Sequence, residues 1–188
     1  MAVTRLFTGK GDQGDTDLLG GRVAKDDPRI EAIGALDETD AALGLARATA
    51  TTDRTRDLVL ATQRDLYTIM AELAFTAELR PKDYGLTEDR VAFLEAETDA
   101  LTAEVALPPQ FVVPGESVSG ATLDVARTVA RRAERRVVTL ARSGHVENAA
   151  LTQYLNRLSS LLFILARFED RAEGAVVRLA KADPSSSS

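Results

Sequence analysis

The chain contains no cysteine, no tryptophan and a single histidine, His145. These gaps exclude disulfides, thiolate nucleophiles and zinc-finger ligand sets, and they leave Ser-His or Cys-His catalysis short of parts. Chemistry here must run on Lys, Arg, Asp, Glu, Asn or hydroxyl groups. Aromatic residues amount to 5%, which leaves few platforms for stacking single-stranded bases. No apolar run approaches the roughly 18–20 residues of a membrane span, and the first residues lack the apolar core of a signal peptide. The expected location is the cytoplasm, away from membranes. Positive charge is in deficit as well: 23 basic residues face 29 acidic ones, a net charge of −6. The protein as a whole repels polyanions, and nucleic acid is not an expected partner.

Apolar material is ample, at 45% of 188 residues, and suits one domain with a real core. From Arg29 onward apolar residues recur at helical spacing in five blocks. The first, following Pro28, places Ile30, Ile33, Leu36 or Asp37, Ala41 and Leu45 near one face. The second spans about residues 54–79 and ends before Pro81. Thr87, Glu88 and Asp89 make an N-cap and an acidic first turn for the third, which runs to about Val105. Pro108, Pro109 and Pro114 then break the chain. A fourth helix is expected over about 119–143 and a fifth over about 146–181. Strand alternation is absent apart from the brief FVV at 111–113. Long helices joined by short links predict an all-α antiparallel bundle. Residues 1–28 are expected to form a separate glycine-bearing segment, 29–182 the bundle, and 183–188 a disordered polar tail.

Several stretches do not follow from packing. The glycines of FTGKGDQGDT (7–16) suggest a phosphate loop, but that motif needs lysine immediately before Thr16, where Asp15 stands. Successive N–H groups there could still form an anion-binding nest, with Lys10, Arg22 and Lys25 adding charge. A frayed terminus is the plain alternative. In RTVARRAERR (127–136) five arginines and one glutamate crowd one short helical stretch. Arg127, Arg131 and either Glu134 or Arg135 project together, as a solvated face or as a surface that an anion completes. A compact phosphorylated ligand fits it better than nucleic acid does. Asp37 sits at the edge of the first helix's buried face, either as an exposed acid or as an ion-pair partner of Arg127. Asn156 and Arg157 interrupt the leucine-rich YLNRLSSLLF, as a ligand-orienting site or as ordinary helix surface.

Taken in order, FTGKGDQGDT, RVAKDDPRIEAIGALDE, FVVPGES, ARTVARRAERRVV and YLNRLSSLLF resemble the PduO-type ATP:cob(I)alamin adenosyltransferases over about residues 4–172. The resemblance implies a five-helix bundle assembled as a homotrimer, with ATP and the corrinoid in clefts between subunits. The N-terminal segment would wrap the triphosphate through Thr8, Gly9, Lys10, Gly11, Thr16 and Lys25. Arg131, Glu134 and Arg135 of the fourth helix and Asn156 of the fifth would join them. The implied reaction is attack by the Co(I) of cob(I)alamin on the 5′ carbon of ATP, giving adenosylcobalamin and triphosphate, with Mg²⁺ assisting. The corrinoid is its own nucleophile, so no Ser, Cys or His is required.

The catalytic set implied is Arg131, Phe111, Asp37 and Arg127. Phe111 matches the aromatic that displaces the corrinoid's lower axial ligand; its alternative is a loop anchor packed on helix ends. Asp37 and Arg127 match a pair that bridges subunits on the corrinoid side. No residue is assigned as a metal ligand. A reductase and an adenosylcobalamin-dependent acceptor enzyme are implied as transient partners. A non-catalytic trimeric carrier of ATP or adenosylcobalamin would use the same residues. The chain departs from the family pattern at Thr39, Asp40, Glu116 and Ser160, near the expected corrinoid and interface regions.

Overall fold

The computed structural model describes residues 7–76, 79–108 and 110–181. Among these residues the chain forms five helices and two small antiparallel strand pairs. Four helices start on a side-chain cap that satisfies an otherwise unpaired amide. Asp27 accepts from the Arg29 amide at 2.8 Å to open α1 (Pro28–Thr49), with Pro28 in the first turn. Thr52 caps α2 (Asp53–Ala74), Ser117 caps α4 (Val118–Arg142) and Asn148 caps α5 (Ala149–Ala172). α3 (Glu88–Glu104) opens instead on two acids, Glu88 and Asp89, which suit the positive end of the helix.

Two helices stop earlier than their periodicity predicts. α2 ends at Ala74 and not near residue 79, because Phe75 turns extended and bridges to Leu19. α5 ends at Ala172 and not at 181. Gly174 adopts φ +70°, and the Ala175 amide donates back to the Asp170 carbonyl at 2.8 Å. The released chain returns as a strand (Arg178–Leu179) beside Val112–Val113, with Val112 opposite Leu179. FVV thus does hold a strand, and its partner was hidden in a stretch that reads as helix. The N-terminal segment likewise contains a hairpin, β1 (Asp15–Leu18) with β2 (Gly21–Ala24), turning at Leu19 and Gly20. Its residues are too polar to show alternation. In chain order the later strands are β3 and β4. The expected tail at 183–188 lies outside the described residues.

α1 lies between α2 and α4, α5 between α4 and α3, and α2 also touches α5. On α4 helical spacing predicts an apolar stripe of Ala126, Val129, Ala130, Ala133, Val137 and Leu140; all are buried except Val129, which is half-buried at its edge. The first helix is rotated relative to expectation. Its buried face is Ala32, Ala35, Leu36, Thr39, Leu43 and Ala46, whereas Leu45 is 54% exposed and Asp37 faces solvent. Small alanines let α1 approach its neighbours closely, so Leu36 and Leu43 share the inner face with Ala32, Ala35 and Ala46 while Leu45 points out. Buried carboxylates fasten the helices. Asp65 on α2 accepts two hydrogen bonds from Arg90 on α3 and one from the Tyr154 hydroxyl on α5. Glu169 on α5 accepts from the amides and hydroxyls of Thr51 and Thr52 in the α1–α2 turn. One end of the bundle carries the β1–β2 hairpin and the other carries β3–β4.

Candidate active site

Helical spacing that buries the α4 alanines turns its arginines outward. They divide into three groups. Arg132 and Arg136 reach α1, where they pair with Glu38 and Glu31. Arg127 donates its Nε to Asp124 one turn earlier, at 2.9 Å. Arg131 and Arg135 form no ion pair among the described residues; Arg135 donates only to the Arg131 carbonyl, at 2.9 Å. Glu134 accepts from the Asn156 amide at 3.1 Å, and Asn156 accepts from Arg157, whose Nε meets Glu95 at 2.7 Å. Glu134 and Asn156 are therefore neighbours across the α4–α5 seam, and both amide and carboxylate are oriented.

Two cavities adjoin along this face. The larger, about 560 Å³, lies between the β3 loop and α4 and is lined by Phe111, Val112, Pro114, Asp124, Arg127 and Phe163. The smaller, about 360 Å³, includes Thr98, Arg127, Arg131, Ser160 and Phe163 in its lining. Arg127 and Phe163 border both. Phe111 is 87% exposed, so it does not anchor its loop by packing. The loop is held by backbone: the Ala180 amide donates to the Phe111 carbonyl at 2.8 Å, β4 pairs with β3, and Arg178 pairs with Glu116 at 3.4 Å.

The N-terminal segment is folded into turns. Gly9 and Gly14 take φ of +71° and +91°, and the Lys25 amide donates to the Gly14 carbonyl at 2.7 Å. The Lys25 ammonium lies 3.1 Å from where a side chain on Gly11 would begin, so only glycine leaves that space to the cation. The Thr8 hydroxyl accepts from the Lys10 amide, and Thr16 sits in β1 opposite Val23. Arg22 is used internally, on Asp17, Asp15 and the Lys10 carbonyl, which removes it from the free cations. The segment is attached at the end of α2, where Leu19 exchanges backbone bonds with Ala74 and Thr76. Among the described residues no hydrogen bond or ion pair joins residues 7–25 to α4. One chain thus brings Gly11 to Lys25 and Arg127 to Arg131, but does not join the two sets. Nor does it form the Asp37–Arg127 ion pair: Arg127 takes the nearer carboxylate, Asp124, and Asp37 stands exposed.

The model of the cobalamin adenosyltransferase family matches residues 6–169. The chain belongs to that family. A corrinoid adenosyltransferase of Bacillus subtilis (strain 168) is 42% identical over 175 residues, covering 90% of this chain and 89% of the relative. The corrinoid adenosyltransferase PduO of Salmonella typhimurium is also 42% identical, over 88% of this chain but 49% of its own length, so the chain spans about half of that protein. Among solved structures, a variant PduO-type ATP:corrinoid adenosyltransferase from Lactobacillus reuteri, complexed with cobalamin and ATP, superposes with a TM-score of 0.87. It is 29% identical and covers 95% of this chain and 100% of that one.

The structure also brings to these cavities residues that sequence patterns did not single out. Asp124 lines the larger cavity at 4% exposure, beneath Arg127. Arg167, 2% exposed, donates Nη2 to Asp124 at 2.8 Å and Nε to Asp170 at 2.9 Å. The available signal was an arginine at an inward position of the leucine-rich fifth helix, three residues before an aspartate. Burial pushes the Tyr154 hydroxyl well above its usual range, and the adjacent Asp65 carboxylate adds to the shift. Tyr154 is therefore a neutral hydrogen-bond donor of the core. Among the described residues no group of three or more His, Cys, Asp or Glu side chains could hold a metal ion. No described helix is long and apolar enough to cross a membrane.

Proposed function

We propose that this chain transfers the 5′-deoxyadenosyl group of ATP to the cobalt of a Co(I) corrinoid. The cobalt electron pair forms a bond to C5′, the C5′–O bond breaks, and its electron pair leaves with triphosphate. Arg131 and Arg135, without carboxylate partners, take the developing charge on the departing triphosphate. Thr8, Gly9, Lys10, Gly11, Thr16 and Lys25 supply amides, hydroxyls and ammonium groups from the N-terminal segment of a neighbouring subunit. The Glu134–Asn156 pair orients the nucleotide. Phe111, projecting at the mouth of the larger cavity, presents an apolar face that takes the place of the corrinoid's lower ligand. Mg²⁺ enters with the nucleotide, held chiefly by its phosphates and water as is usual for this ion.

The same reading includes a homotrimer with sites between subunits. One chain leaves the glycine segment apart from the α4 arginines. It also exposes Leu45, Val118 and Val125 around the Thr49–Thr122 hydrogen bond between α1 and α4. In the assembly Asp37 of one subunit meets the Nη groups of Arg127 of the next. A reductase and an acceptor for the product act as transient partners in the cytoplasm, where ATP is consumed. The single observation that carries the proposal is the pair of adjoining cavities bordered by Arg127, with Phe111 at one and Arg131 at the other. The test is incubation with ATP and chemically reduced cobalamin, followed in the visible spectrum. Growth of the alkylcobalamin band with release of triphosphate is expected; binding without that band would make the protein a carrier.

A further inference from the structure

We propose that Asp124, held by the buried Arg167–Asp170 pair, is a positioning residue that fixes the Arg127 guanidinium at the junction of the two cavities. The inference rests on Arg127 being part of the site. A carboxylate at 4% exposure is costly unless both oxygens are satisfied. Those of Asp124 are: Oδ1 accepts from Arg127 Nε at 2.9 Å and Oδ2 from Arg167 Nη2 at 2.8 Å. Arg167 passes the constraint on, through Nε to Asp170 Oδ2 at 2.9 Å. The other oxygen of Asp170 accepts from Ser117 Oγ at 2.6 Å, and that hydroxyl in turn accepts from the Gly120 amide as the cap of α4. Gly120 must be glycine here, because a side chain would collide with the Asp170 carboxylate. Alternating positive and negative groups thus run from the α4 cap to the cavity.

The consequence for Arg127 is geometric. A guanidinium is a planar fork, so tying Nε to a fixed acceptor sets its plane and leaves the two Nη groups for other partners. No Nη bond of Arg127 is present among the described residues, while its side chain borders both cavities. Arg131, one turn later, has no such tether. One arginine is preset, and its neighbour is free to move onto the nucleotide. A network that served only to close the bundle would need Asp124, Arg167 and Asp170, but not Arg127.

The test is a double-mutant cycle in the full-length protein, combining Asp124→Asn with Arg127→Lys and measuring kcat and KM for ATP and for cob(I)alamin beside the melting temperature. Arg127→Lys alone and Asp124→Asn alone are each expected to lower kcat/KM for the corrinoid by ~10- to 100-fold. The double variant should be no worse than Arg127→Lys. Two outcomes overturn the proposal. Full activity in Arg127→Lys removes Arg127 from the site and with it the premise. An impaired Arg127→Lys with losses that multiply in the double variant leaves Arg127 in place but makes Asp124 structural only. If Asp124→Asn does not fold, Asp170→Asn replaces it in the same cycle, with the same two readings.

Discussion

The loops at the two ends of the bundle are held in opposite ways. Among the described residues the glycine-bearing segment hydrogen-bonds to the helical body where Leu19 meets Ala74 and Thr76, and is otherwise stabilised by its own turns. The Phe111 loop is tied on several sides, by β4, by the Ala180 amide and by the Glu116–Arg178 pair. The difference matches what each would handle. A flexible polyphosphate is best gripped by backbone amides that can rearrange around it, whereas an aromatic that must occupy one position over a rigid macrocycle needs a fixed base.

The largest effect should come from the cation proposed to meet the same triphosphate as the adaptable end. Arg131→Ala removes a charge that no carboxylate among the described residues balances, so kcat/KM for ATP should fall by ~10²- to 10³-fold in steady-state assays. Melting temperature and oligomeric state should stay unchanged. Next comes the fixed end: Phe111→Ala should lose at least about tenfold more turnover starting from cob(II)alamin than from pre-reduced cobalamin. Equal losses in the two assays would mean that the pinned aromatic has no part in preparing the corrinoid. Within the glycine segment, Gly11→Ala sets a methyl group against the Lys25 ammonium and the Asp15 carbonyl. The KM for ATP should rise by roughly 3- to 10-fold with the KM for cob(I)alamin unmoved.

The smallest effect on turnover belongs to the foundation under the fixed end. Burial alone would raise the Glu169 carboxyl, but hydrogen bonds from Thr51, Thr52 and Thr55 outweigh it and lower the group from 4.5 to about 2. A folded pKa below the unfolded one contributes stability above about pH 4.5 and loses it as pH falls towards 2. Glu169→Gln should cost about 1–3 kcal/mol in denaturant unfolding at pH 7. The gap from the unmodified protein should close as the pH approaches 2, with activity at neutral pH intact.

The helices were legible because apolar spacing and helix-start residues are local signals: Pro28 and Thr87 stand at the starts the pattern placed, though Thr87 makes no side-chain cap bond, and the α4 stripe faces the core except at Val129. β1–β2 was not, because DTDL and GRVA carry no alternation, and β4 was not, because its partner lies far away in sequence. The α1 face misled because alanine and threonine fill the inner positions while Leu45 points out. On α4, charge density in RTVARRAERR drew notice to the helix but could not say which of its arginines pair with α1 acids, which with Asp124 and which with no carboxylate among the described residues. Arg167 left only the mark of a charge at an inward position, and its link to Asp124 left none. A buried ion pair is a property of two helix faces meeting, and neither face shows it alone.

Strand β4 also bears on how the molecule is made. Val112 and Val113 leave the ribosome long before Arg178 and Leu179 can reach them, and the residues of α4 and α5 are made in between. A product ending at Gly174 would retain every helix and the Asp65, Glu169 and Asp124 fasteners, and circular dichroism would report it as native. It would nonetheless offer its aromatic on an unbraced loop, a correctly folded body with an unfinished mouth.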